Sequence, residues 1–242
     1  MFEPAKAALG EYMTRFFAQV LPTTKPLQAY VSRDVSKAMM WAPARMVDAA
    51  DQMLGSYQRN DHDNAPSNPS DLPIIIIAMA KDYVPSSREF TRQIADREWV
   101  MLPNDPKQRL FGLRQVAGDI RAQVAIFAAD EPTARSLAAQ FSLFVEATGN
   151  NRFKADYTFA GMSVKWPVQL ESTDIPAMAI QSEAKNLTIY AMDLSLHVSV
   201  PLFDAPKAGE PNDGKGIAGD VLDPAGYPLT TDLMITYTEA RK

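Results

Sequence analysis

At 242 residues, 46% apolar and 22% charged, the chain has the make-up of a globular protein long enough to bury a full core. Its net charge of −5 argues against a dedicated binder of duplex nucleic acid, which carries a basic surplus. It leaves room for a protein that surrounds nucleic acid without gripping it. With no cysteine, disulfides, thiolate metal sites and a cysteine nucleophile are excluded.

Glu3 stands where a secretory signal would be basic, and no small-residue cleavage site follows an apolar core. The longest apolar run, 72–80, is far short of the ~20 residues a membrane helix needs. A soluble chain made in the cytoplasm, with no membrane partner, is the expectation.

The first element is a helix opened by Pro4, with Ala5, Leu9, Tyr12, Met13, Phe16, Phe17 and Val20 recurring at three- and four-residue steps. This stripe packs on the chain's own sheet or docks on a neighbouring subunit. Residues 27–33 alternate like a short strand, with Leu27, Ala29 and Val31 on one side. Helical spacing returns over 35–54, where Pro43 must kink or split the helix. Its methionines, Met39, Met40 and Met53, are core fillers.

Residues 55–71 lack an apolar period and predict a flexible loop, disordered or held by a partner. The run 72–80, with Ile74, Ile75, Ile76 and Ile77, predicts a central strand covered on both faces. Residues 81–97 are mixed in sign and predict a protruding arm or hairpin. Short strands follow at 99–102 and 108–116.

The organising unit spans 119–202. It begins with a strand over 120–129 and an amphipathic helix over 130–148. Asp130 serves as the N-cap, and Ala134, Leu137, Ala138, Phe141, Phe144 and Val145 form the stripe. The next strand, 153–170, changes parity at Gly161, as a β-bulge would cause. The last, 187–202, turns Tyr190, Met192, Leu194, Leu196, Val198 and Val200 inward and Asp193, Ser195, His197 and Ser199 the other way. At sixteen residues it far exceeds the usual ~5–6, so part of it projects beyond the sheet or pairs with another molecule. Residues 204–242 form an extended arm whose strand-like end carries Leu233, Ile235 and Tyr237, for this sheet or a neighbour's.

The expected fold class is α+β, a mixed and mostly antiparallel sheet with helices on one face, plus extended arms. Residues 1–203 form one domain and 204–242 the arm.

No catalytic constellation emerges. Asp193, Ser195 and His197 bring together the residue types of a hydrolase triad. Neighbours on one strand face stand ~6.8 Å apart, too far for the short bonds that chemistry needs. Gly209, Gly214 and Lys215 fit the spacing of a phosphate loop. Gly216 replaces the magnesium-binding hydroxyl, Glu210 and Asp213 repel phosphate, and no helix follows. Asp61, His62 and Asp63 read as a solvated turn. Neither a cofactor nor a metal is expected. Lys107, Arg109, Arg114 and Arg121 make a basic contact surface, for an acidic protein or for passing phosphates.

The segments IRAQVAIFAADEPTARSLAAQFSLFVEATG, RFKADYTFAGMSVKWPVQL and NLTIYAMDLSLHVSVPLF, behind an N-terminal helix, resemble the tail terminator and neck (tail-completion) proteins of tailed bacteriophages. The resemblance covers about a third of the chain and is one of pattern. It implies a virion structural protein, made in the host cytoplasm, that forms a ring of about six subunits. Such a ring caps or joins the tail tube, contacts neighbouring tail or neck proteins, and lets DNA pass without sequence-specific binding. Asp193, Ser195, His197, Arg88, Arg92 and Tyr237 are then the expected inter-subunit contacts. Two rival classes are a non-viral adaptor that augments a partner's sheet with its C-terminal strand, and a hydrolase.

Overall fold

A computed structural model describes residues 1–42, 72–86, 92–103, 105, 110–159, 161–181 and 186–204. The fold is α+β, with a mixed, mostly antiparallel sheet and a few helices. The described helices are α1 (Glu3–Phe17), α2 (Lys25–Val31), α3 (Val35–Ala38) and α4 (Glu131–Glu146). The described strands are β1 (Met39–Trp41), β2 (Ile74–Met79), β3 (Val84–Pro85), β4 (Ile94–Met101), β5 (Leu110–Ala128), β6 (Arg152–Phe159), β7 (Met162–Leu170), β8 (Ala177–Ile180) and β9 (Thr188–Asp204). Two compact units divide the described chain: one within 1–93, 116–157 and 165–200, the other within 94–115, 158–164 and 201–204. No helix among the described residues is long and apolar enough to cross a membrane.

In the first unit the strands run in the order β1-β2-β5-β9-β7-β6, with β3 beside β5 and β8 beside β9. β1 is parallel to β2, and β2 is antiparallel to β5, with Ile75 opposite Ile126 and Ile77 opposite Val124. β2 is therefore the inner strand its four isoleucines predict, buried from Ile74 to Ala78. One face of this sheet carries the main core. There Ile75, Ile77, Val124, Ile126, Leu194, Leu196 and Val198 meet Leu9, Tyr12, Met13 and Phe16 of α1 and Leu137, Phe141 and Phe144 of α4. The Tyr12 ring lies 5.0 Å from Phe144 and 4.9 Å from Phe153, and Phe16 lies 5.0 Å from Phe141. The α1 stripe is thus spent on the chain's own core, leaving it unavailable to a neighbour. On the opposite face Ile74, Ile76, Ala125, Phe127, Ile189 and Ala191 form a second, smaller cluster.

Helix α4 begins as its sequence predicts, with the Asp130 carboxylate accepting from the Thr133 amide at 2.8 Å. Its Thr133, Ser136 and Gln140 also hold the connector leading out of α1. Gln140 accepts from the Leu21 amide at 2.7 Å and donates to the Leu21 carbonyl at 3.1 Å. Thr23 shares a hydrogen bond with Ser136 at 2.6 Å, and Thr24 with Thr133 at 2.9 Å.

Several sequence expectations need correction. Residues 27–33 are not a strand: Thr24 caps α2 through the Leu27 amide, Pro26 favours its first turn, and Leu27 and Tyr30 are buried at helical spacing. The helix expected over 35–54 stops at Ala38, and Met39 enters β1; residues 43–54 lie outside the described residues. The separate strands expected at 108–116 and 120–129 are one 19-residue strand, β5. The single strand expected over 153–170 is a hairpin, because Gly161 adopts φ +79° in the turn between β6 and β7. A turn changes parity as a bulge does. Of the arm expected at 81–97, Val84 and Pro85 lie against Asp119 and Gly118 of β5, and 94–97 belong to β4. The loop 55–71 and the C-terminal arm beyond Asp204 lie outside the described residues.

In the second unit β4 pairs antiparallel with β5, Ile94 opposite Gln115 and Met101 opposite Leu110, with an irregularity between Ile94 and Glu98. The strand expected at 99–102 is thus the end of a longer one. The Arg97 guanidinium lies 4.3 Å from the Trp99 ring and 3.0 Å from the Asp204 carboxylate. Phe159 packs between Phe111, at 5.3 Å, and Phe203, at 5.1 Å.

Candidate functional site

The odd-numbered residues of β9 face away from the helices. Ile189 and Ala191 complete the small apolar cluster, and the row then turns polar at Asp193, Ser195, His197 and Ser199. β5 supplies the facing row, Gln123, Arg121 and Asp119. The Gln123 amide donates to Asp193 at 2.8 Å, and the Arg121 guanidinium lies 3.6 Å from the other Asp193 oxygen. His197 Nδ1 meets the Asp119 carboxylate. On the far side β7 places Gln169 opposite His197, and the Glu171 amide donates to the Ser195 carbonyl at 2.9 Å.

This geometry redistributes the three residues that resemble a triad. Asp193 and His197 do not meet each other; each binds a different residue of β5. His197, one of the expected inter-subunit contacts, is buried within the chain itself. It is 2% exposed, and its Nε2 has no hydrogen-bond partner. Ser199 is likewise buried, donating to the Pro167 carbonyl at 3.4 Å, while its own carbonyl accepts from the Tyr157 hydroxyl at 3.4 Å. Burial pushes the Tyr157 phenol up to about 12. An imidazole sealed in this way cannot reach a substrate. The pairs are suited to holding two strands in register.

Among the other expected contact residues, Arg92, Arg114 and Arg121 have exposed positions, and Arg121 is committed to Asp193. Arg88, Lys107, Arg109 and Tyr237 lie outside the described residues, as do the 61–63 cluster and the phosphate-loop-like Gly209, Gly214 and Lys215. Among the described residues no three His, Asp or Glu side chains converge as a metal site would require. A cleft of about 440 Å³ on α4 is lined by Glu131, Pro132, Arg135, Ser136 and Ala139. Its two charged groups, Glu131 and Arg135, pair with each other.

Sequence reasoning missed Asp119 and Gln123, because Gly118 and Asp119 read as a strand boundary. It also missed the exposure of β4, where Trp99 is 48% and Met101 51% exposed. Compared with protein-family models and with curated proteins, the chain matches none.

Proposed function

We propose that this chain is a structural subunit of a tailed-phage virion, assembling with itself into a ring at the neck or tail that caps or joins the tail tube. The observation that carries this reading is the length of β5 and β9, 19 and 17 residues against a usual ~5–6. A strand of ordinary length suffices to bear a helix-covered layer. The surplus of β5 carries β3 and β4 beyond that layer, and exposed Trp99 and Met101 on β4, with Leu202 near the end of β9, are of the kind that contacts with another chain bury.

The polar residues point the same way. Asp119, Gln123, Asp193 and His197 are engaged in cross-strand pairs, which favours a scaffold over a hydrolase. A net charge of −5 suits a channel through which DNA passes without being held. Negative-stain microscopy of the purified chain tests the reading. Rings with a central opening are expected, and particles of monomer size at high concentration would overturn it.

A further inference from the structure

We infer that one sheet face of the second unit, centred on Trp99, is covered by residues 232–240 of a neighbouring copy of this chain. The inference rests on the ring reading, which leaves this face for another chain, and it names the part of that chain that fills it.

The second unit has two unlike faces. On one, Phe159 packs between Phe111 and Phe203, and Phe111 and Leu113 are buried. On the other, Trp99 stands opposite Gly112 and Met101 opposite Leu110. Arg97 lies along this second face, stacked on the Trp99 ring and paired with Asp204, and a Cβ on Gly112 would overlap its side chain. Asp204 therefore shares the face, and alternation along β9 puts Leu202 there as well. Trp99, Met101 and Leu202 are all exposed. Arg114, two residues from Gly112, is exposed on the same side and makes no ion pair among the described residues. The face thus joins three large apolar side chains to one uncompensated cation, and tryptophan and arginine are the residues that anchor protein contacts.

The sequence beyond β9 has the matching chemistry. β9 ends at Asp204, on this face, so the segment that follows starts where the contact lies. From Gly216 to Ala240 it carries Asp220, Asp223, Asp232 and Glu239 and no Lys or Arg. Leu233, Ile235 and Tyr237 alternate between the last two of these carboxylates. Docked in extended form, this stretch offers an apolar row to Trp99, Met101 and Leu202 and a carboxylate to Arg114. Residues 205–232 can span up to about 90 Å, enough to reach a copy alongside. Folded back on its own copy, the segment would close the face to the ring. Passed to the next copy, it makes a heterologous contact in which every subunit gives one segment and takes one.

Photocrosslinking of the full chain tests this. p-Benzoylphenylalanine is placed at Met101, and copies labelled with nitrogen-15 are mixed with unlabelled ones before assembly. On irradiation, mass spectrometry should find crosslinks to peptides within 232–240, with labelled joined to unlabelled. Arg114→Glu should lower their yield about tenfold. The probe at Leu202 repeats the test where the Met101 substitution fails to fold. Crosslinks confined to single copies, crosslinks to other segments, none at all, or a yield indifferent to Arg114→Glu would overturn the inference. If the native chain still assembles in native mass spectrometry, the ring reading survives that outcome. A native chain that never assembles would overturn the ring reading, and this inference with it.

Discussion

The imidazole of His197 and the carboxylate of Asp119 meet across β9 and β5, one fully buried and the other partly open to solvent. Truncating the carboxylate strands a buried polar ring. Asp119→Ala should therefore cost about 1–3 kcal/mol in urea denaturation. Ser195→Ala, one step away on the same row, should stay within about 0.5 kcal/mol. That Asp193, Ser195 and His197 share a face was legible from the strand's period of two. Their partners were not, because alternation fixes which face a residue occupies and leaves its register open to shifts of two.

A second residue-scale prediction concerns Tyr12, Tyr30 and Tyr157. Burial raises all three phenols above their ordinary value of 10, Tyr157 to about 12. Above pH 10 the unfolded chain releases these protons more readily than the folded one. The folded state then binds more protons, so stability falls as pH rises from 10 toward and beyond 12. In an ultraviolet titration these tyrosines should ionise only as the protein unfolds.

Among the elements, α1 and α4 were legible because their apolar stripes are long and periodic, and the structure spends those stripes in one core. α2 was not, because over seven residues a capped helix and an alternating strand share apolar positions. β5 was split at Gly118, whose role depends on a strand remote in sequence. A Cβ there would come within 2.8 Å of the Val84 carbonyl and 2.6 Å of the Tyr83 ring. Gly118→Ala should push β3 away and cost about 1–3 kcal/mol, read as an earlier urea midpoint. Gly161 was noticed for the right property and given the wrong role. Its positive φ closes the hairpin, and Gly161→Ala should cost about 1–2 kcal/mol. Gln140→Ala, by freeing both backbone groups of Leu21 from α4, should lower stability by about 1–2 kcal/mol.

For the whole molecule, the α+β class was legible because strand and helix periods alternate clearly along 119–202. The contact surfaces were not, since an exposed side chain on a strand looks the same in sequence whether water or another subunit meets it. Native mass spectrometry of the purified chain at low salt addresses the central claim most directly. A single closed oligomer of about six copies is the expected result. A strictly monomeric chain at every concentration would contradict it.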